Sequence, residues 1–253
     1  MNIPSARRGP SFAAHAFICW AGEWSCEGAE RVISRAASAG LDFVEIPPLD
    51  PETVELTAAL GSSVLTGCLY THIGTLTGCL PEPGELRAVA RALKSTARRA
   101  AEGGVELSIE AVNRYETYLI NLASQVSDLL DEIDEPNVFA HLDTYHMNID
   151  EKGFYEPILS LGPRLKYIHL SESDRGTPGT GNVHGDEIFR GLKGASYDGA
   201  LVIEAFAACN EAIIGATLLW RDVVGDPDAL VTGGLAFLRA KGTEHELFEQ
   251  PPG

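Results

Sequence analysis

The chain has 253 residues, a formal net charge of −17, 45% hydrophobic and 22% charged residues. That length suits one (β/α) barrel domain of about 250 residues, and the composition is that of a globular protein. The acidity argues against a nucleic-acid groove, which needs a basic face, and no apolar run approaches the ~20 residues of a membrane helix, so the expected partner is a small molecule, with no nucleic acid and no membrane.

Residues 1–12 read as a loose arm, without the apolar core of a signal peptide. AAHAFICW (13–20) is the first strand. The next segment is a helix with Ser25 as N-cap, Gly40 as C-cap and Val32, Ile33, Ala36 and Ala37 as its buried stripe. A second strand (43–46) is stopped by Pro47 and Pro48. Glu45, near its end, reads as a rim charge rather than a residue touching substrate or its waters. A short helix (51–61) leads to a strand at 63–70, then to a long helix (81–104). That helix turns Leu86, Val89, Ala90 and Leu93 inward and Arg91, Lys94, Arg98 and Arg99 outward. Strands follow at 105–112, 137–144, 165–170 and 200–206, seven in all. Between them lie a helix over 122–133 capped by Asn121, a shorter one in EPILSLGPRL, and one in GDEIFRGLKGAS that buries Ile188, Phe189 and Leu192. Two further helical segments, IIGATLLWRDVV and ALVTGGLAFLRAK, close the domain, and residues 242–253 read as a frayed tail. No linker divides the chain, so residues 1–253 form one domain. Cys19, Cys26, Cys68, Cys79 and Cys209 make no CxxC pair and are odd in number, which suits a reducing cytoplasm.

Four of the strands finish on a polar residue: Glu110, Asp143, His169 and Glu204, at intervals of roughly 30 residues, the length of a repeated βα unit. A lone Glu at a strand end is usually solvated, and a lone His in YIHL is usually a satisfied core residue. Four such residues at successive strand ends are another matter. A parallel barrel gathers those ends on its catalytic face, so three carboxylates and one imidazole converge there. Such a donor set suits one divalent ion, Mn²⁺ first, with Mg²⁺ or Co²⁺ as alternatives. Phe206, two residues beyond Glu204, faces the same side and offers a sugar an apolar wall, as do Trp20 and Trp24. The glycine-rich loop GTPGTGNVHG (176–185) lacks phosphate-loop spacing, and only Arg175 beside it is a well-placed cation, so an unphosphorylated sugar is expected.

SIEAVNRYET, HLDTYHMNI, HLSESDRGTPGTG and VIEAF resemble the motifs of the D-tagatose/D-psicose 3-epimerase family, within the xylose isomerase-like TIM barrel superfamily. The resemblance runs from about Glu110 to Arg221. It implies a metal-dependent isomerase that epimerises a free ketose at C3 through a metal-stabilised cis-enediolate. Glu110, Asp143, His169 and Glu204 are then the metal ligands, and Glu110 and Glu204 also the acid/base pair. Glu116, His146 and Arg175 hold the sugar through its first oxygens. Subunit pairing into a dimer or tetramer is implied as well. Matched against the family, SVLTGCLY is the fourth strand and FVEI the second, so the third βα unit is missing. The expectation is a shortened α/β barrel with seven inner strands, its wall open or covered between LDFVEIPP and SSVLTGCLY. Two other readings stand beside it. One is an aldose–ketose or hydroxypyruvate-type isomerase, which moves a C1/C2 proton at a similar site. The other is a catalytically impaired, truncated relative acting as a binding protein.

Overall fold

The computed structural model describes residues 10–15, 26–45, 61–206, 214–215 and 217–248. Nearly all of the expected helix over 51–61, Ser25, Trp20 and Trp24 lie outside them. Of the helix expected in IIGATLLWRDVV, residues 214, 215 and 217 are helical, but 218–224 is turn and irregular chain, so that expectation fails over its second half. Seven strands are present: β1 (Ser11–His15), β2 (Phe43–Glu45), β3 (Val64–Gly67), β4 (Glu106–Glu110), β5 (Val138–Asp143), β6 (Leu165–Leu170) and β7 (Ala200–Ile203). They form one parallel, curled sheet in the order β2-β1-β7-β6-β5-β4-β3. This is the shortened (β/α) barrel expected. Among the described residues, β2 pairs only with β1 and β3 only with β4, so no described strand closes the wall between them.

The helices are α1 (Cys26–Ala39), α2 (Pro83–Glu102), α3 (Ala123–Ile133), α4 (Thr144–Asp150), α5 (Tyr155–Leu161), α6 (Gly185–Gly194) and α7 (Pro227–Glu244). Each strand turns alternate residues outward to meet them. Leu107 and Ile109, Leu142, Ile168 and Leu170, and Leu201 and Ile203 join Ile133, Ile158, Phe189 and Leu238 in one continuous core. Each such side chain, fully buried, contributes about 1.5–3 kcal/mol. The opposite positions face the barrel interior, where Ala13, Tyr167, Ala200 and Val202 form a second, small cluster flanked by Phe43 and Val64. That cluster plugs the bottom of the barrel and leaves its carboxyl-end face to polar residues.

Several boundaries differ from expectation. β1 begins at Ser11 and buries Phe12, so the arm assigned to 1–12 is shorter than read. At the other end α7 runs to Glu244, Leu247 is buried, and the Phe248 ring packs edge-on against Phe12 at 5.4 Å; the tail assigned from 242 is packed as far as 248. A short apolar segment amid polar residues was enough to dock each terminus. In α1, Gly40 ends the helix at φ +78, as expected of a C-cap, with its N–H on Ala37 O. Val32 and Ala36 are buried, but Ile33 and Ala37 are exposed, because they sit one step of 100° around from the face that meets β2 and α7. Asn121 does not cap α3. Its amide donates to the carbonyls of Val112 and Thr117, and Gln125 Oε1 instead accepts from the N–H groups of Asn121 and Leu122.

Candidate active site

The register explains why the strand ends converge. Glu110 is level with His141 across β4 and β5, and Asp143 with His169 across β5 and β6. His169 in turn is level with Val202, and Glu204 stands two residues further on. Side chains two apart share a face. Glu110, Asp143, His169 and Glu204 therefore point inward near one level, and all four are buried. His169 Nδ1 lies 3.3 Å from Glu204 Oε2 and 3.9 Å from Glu110 Oε1. Asp143 also caps α4: its Oδ1 accepts the Tyr145 N–H at 2.8 Å, which fixes the orientation of the carboxylate.

Arg175 reaches into the middle of this group. Its Nη1 donates to Asp143 Oδ2 and Glu204 Oε2, both at 2.5 Å, and to Ser171 Oγ at 2.9 Å. The guanidinium lies over Tyr145 (4.0 Å) and Phe206 (4.8 Å), and its Nε finds no hydrogen-bond partner among the described residues. Phe206, expected as a sugar wall, thus backs Arg175. The backbone of Arg175 is held at φ +63, a left-handed conformation costing a non-glycine residue about 1–2 kcal/mol. Two bonds enforce it: its N–H to Glu172 O and its carbonyl from Phe206 N–H, each 2.9 Å. The glycine-rich loop is gathered by the buried Glu172, whose carboxylate accepts from Ser173, Gly179 and Val183 N–H groups. Gly179, at φ +88, has no room for a Cβ, which would lie 2.5 Å from the Phe237 ring.

His146 is set by what its other nitrogen does. The Asn113 backbone N–H, which can only donate, points at Nδ1 from 3.2 Å, so the ring proton is on Nε2. Nε2 faces Glu110 Oε1 and Asp143 Oδ2, each 3.7 Å away. Burial, with Arg175 next, holds the imidazole well below its ordinary pKa and therefore neutral. A ligand nitrogen needs its lone pair, so His146 is a hydrogen-bond donor here rather than a ligand. Asn113 Nδ2 also donates to Glu116 Oε1 at 2.8 Å, and the Glu116 carbonyl accepts from Gly74 N–H at 2.7 Å. Glu116 is thereby pinned at the rim between the loops after β3 and β4.

The donor chemistry fits a divalent ion. Close-set buried donors recur in three overlapping groups: Asp143, His169 and Glu204; Glu110, His141 and His169; and Glu110, Asp143 and His146. Burial raises the Glu110 carboxyl well above its usual range, with Glu204 and Asp143 pushing the same way against His169. Burial, opposed by Arg175 and reinforced by Glu204, lifts Asp143 to about 7. Carboxylates crowded out of water in this way are stabilised by a cation placed among them.

Two inward residues of this face were not recognised as such in the sequence. Glu45, read as a rim charge, lies in the site: its Oε2 accepts from His169 Nε2 at 2.8 Å and from Tyr167 OH at 3.0 Å. His141, fully buried, meets Thr66 Oγ1 at 2.8 Å and packs edge-on against His169. The signal for both was period 2 in the strand: Glu45 follows the inward Phe43, and His141 precedes Asp143 by two.

The sequence model of the Xylose isomerase-like TIM barrel family matches residues 51–241. The L-ribulose 3-epimerase of Methylomonas sp. (strain DH-1) is 32% identical, over 91% of this chain and 97% of that protein. The ketose 3-epimerase of Arthrobacter globiformis is 30% identical over 92% and 97%. A crystal structure of D-allulose 3-epimerase from Methylomonas sp. superposes with a TM-score of 0.87 at 30% identity, over 95% of this chain and 100% of that one. The chain belongs to the xylose isomerase-like TIM barrel family and, within it, to the ketose 3-epimerases. Its alignment with the first relative spans 279 residues, more than the chain's own length, so that protein carries segments with no counterpart here.

Proposed function

We propose that this chain epimerises a free ketose at C3, with one divalent ion, Mn²⁺ first, held by Glu110, Asp143, His169 and Glu204. The observation that carries this reading is the meeting of three carboxylates and one imidazole from four neighbouring strands, with a neutral His146 and the fixed Arg175 beside them. A bound ion supplies Lewis-acid polarisation of the ketose carbonyl, which acidifies the adjacent C–H. The side chains do the rest. One of Glu110 and Glu204 takes the C3 proton and the other returns one to the opposite face. His146 donates its Nε2–H to a sugar oxygen. Glu116, pinned by Asn113, accepts from a hydroxyl. Arg175 donates to the oxygen that gains charge, and the rings of Tyr145 and Phe206 hold the guanidinium in place. Arg175 is the one cation at this face that the loop presents, which supports an unphosphorylated substrate. A reducing compartment and a homo-oligomer belong to the same reading; the one-sided pairing of β2 and β3 among the described residues supports the second.

The test is a panel of free ketoses with metal-stripped and Mn²⁺-loaded protein. Loaded protein is expected to interconvert a C3-epimeric pair and stripped protein to do so poorly. An aldose product would move the assignment to an isomerase. A loaded protein inert toward every ketose would leave a binding protein.

A further inference from the structure

The imidazole of His169 has carboxylates at both nitrogens, but at different distances. Nδ1 faces Glu204 and Glu110 at 3.3 and 3.9 Å. Nε2 faces Glu45 Oε2 at 2.8 Å, in a barrel interior where the Glu45 side chain is only 16% exposed. A carboxylate accepts and cannot donate, so the nearer one, Glu45, holds a proton on Nε2; Nδ1, with its carboxylates further off, is the nitrogen whose proton an ion among Glu110, Asp143 and Glu204 would replace. The same Oε2 accepts the Tyr167 hydroxyl at 3.0 Å, which holds the carboxylate against the ring rather than letting it swing to solvent. Tyr167 itself is anchored in the interior cluster with Val202 and Ala13. Glu45 thus has both a fixed position and a fixed role. It comes from β2, an end strand of the described sheet, and not from the four strands that carry the proposed ligands.

We propose that Glu45 is the positioning residue of the metal centre: it holds His169 in the Nε2–H tautomer, aimed so that Nδ1 is the ligand atom. Through His169, this end strand acts on an ion bound on the far wall. The hydrogen bond also raises the basicity of the coordinating nitrogen, as carboxylate partners of ligating imidazoles do. This rests on the assignment of His169 as a ligand. Glu45 touches neither ion nor sugar in this arrangement, so its removal acts on ion affinity first and on turnover only through occupancy.

The experiment is a calorimetric titration of metal-stripped protein with Mn²⁺ alone, for wild type, Glu45→Gln and Glu45→Ala. Gln keeps a carbonyl acceptor for Nε2–H and is expected to bind within a few-fold of wild type. Ala is expected to bind about 10–100-fold more weakly, and at saturating Mn²⁺ to recover most of its kcat with KM little changed. Equal affinity in wild type and Glu45→Ala would overturn the proposal while leaving the metal centre intact. Failure of wild type to bind Mn²⁺ would overturn the metal centre itself, and this proposal with it. Should Glu45→Ala not fold, ¹⁵N spectra of the histidine side chains in loaded wild type decide alone. A proton on His169 Nε2 supports the assignment, and one on Nδ1 contradicts it.

Discussion

The two halves of the barrel wall do different work. From β4 to β7 every strand is hydrogen-bonded on both sides, and each delivers one residue of the proposed ligand set. At the other side β2 and β3 end the sheet, with three and four residues, and no described strand joins them. Loss of a βα unit was tolerable there because the donors stand in neighbouring strands that keep their register without it. Yet the weaker side is not idle, since Glu45 of β2 and Thr66 of β3 both reach across to the histidines of β5 and β6.

The largest expected effect comes from the strong wall. Asp143→Ala removes a proposed ligand and the partner of a buried guanidinium at once. It is expected to abolish Mn²⁺ binding in a calorimetric titration and to lower the stability of metal-free protein by about 3–5 kcal/mol in urea unfolding. Arg175→Ala should keep its ion yet lose roughly 10²–10³ in kcat/KM; undiminished turnover would remove Arg175 from the chemistry. The contrast between the walls is read most directly by native-state hydrogen exchange. Backbone amides of β5 and β6 should exchange only on global unfolding, and those of β2 and β3 through local opening, at least ten-fold faster. Equal protection would mean that something covers the edges, and a second copy of the chain is the occupant to look for. The smallest effect is chemical. Burial, opposed by the Tyr70 bond, pushes the Cys68 thiol at the end of β3 up to about 11, whereas Cys79 is exposed. At pH 8 iodoacetamide should label Cys79 well before Cys68 in peptide mass spectra; the reverse order would show that the end of β3 is open.

Much of the strong wall was legible in the sequence. Apolar runs such as LKYIHL are buried on both faces and carried the strand count, while the missing unit came from the resemblance, which matches FVEI to the family's second strand and SVLTGCLY to its fourth. The four proposed ligands were legible because each lies at or near the end of such a run. What was not legible depended on contacts across the barrel. Glu45 looks like a rim charge until Tyr167 and His169, more than a hundred residues away, close on it. Asn121 has the side chain of a cap, but Gln125 was better placed to take the orphan N–H groups. Arg175 was read as a substrate contact, and the sequence held no sign that its guanidinium bridges Asp143 and Glu204.

The central claim is that a proton leaves C3 and returns on the other face. Mn²⁺-loaded protein incubated with a ketohexose in D₂O tests it most directly, with the label located by NMR. The account predicts deuterium at C3 of both epimers, C1 unlabelled and no aldose formed. Deuterium at C1 or C2 with an aldose product, or a loaded protein that exchanges no sugar proton, would contradict it.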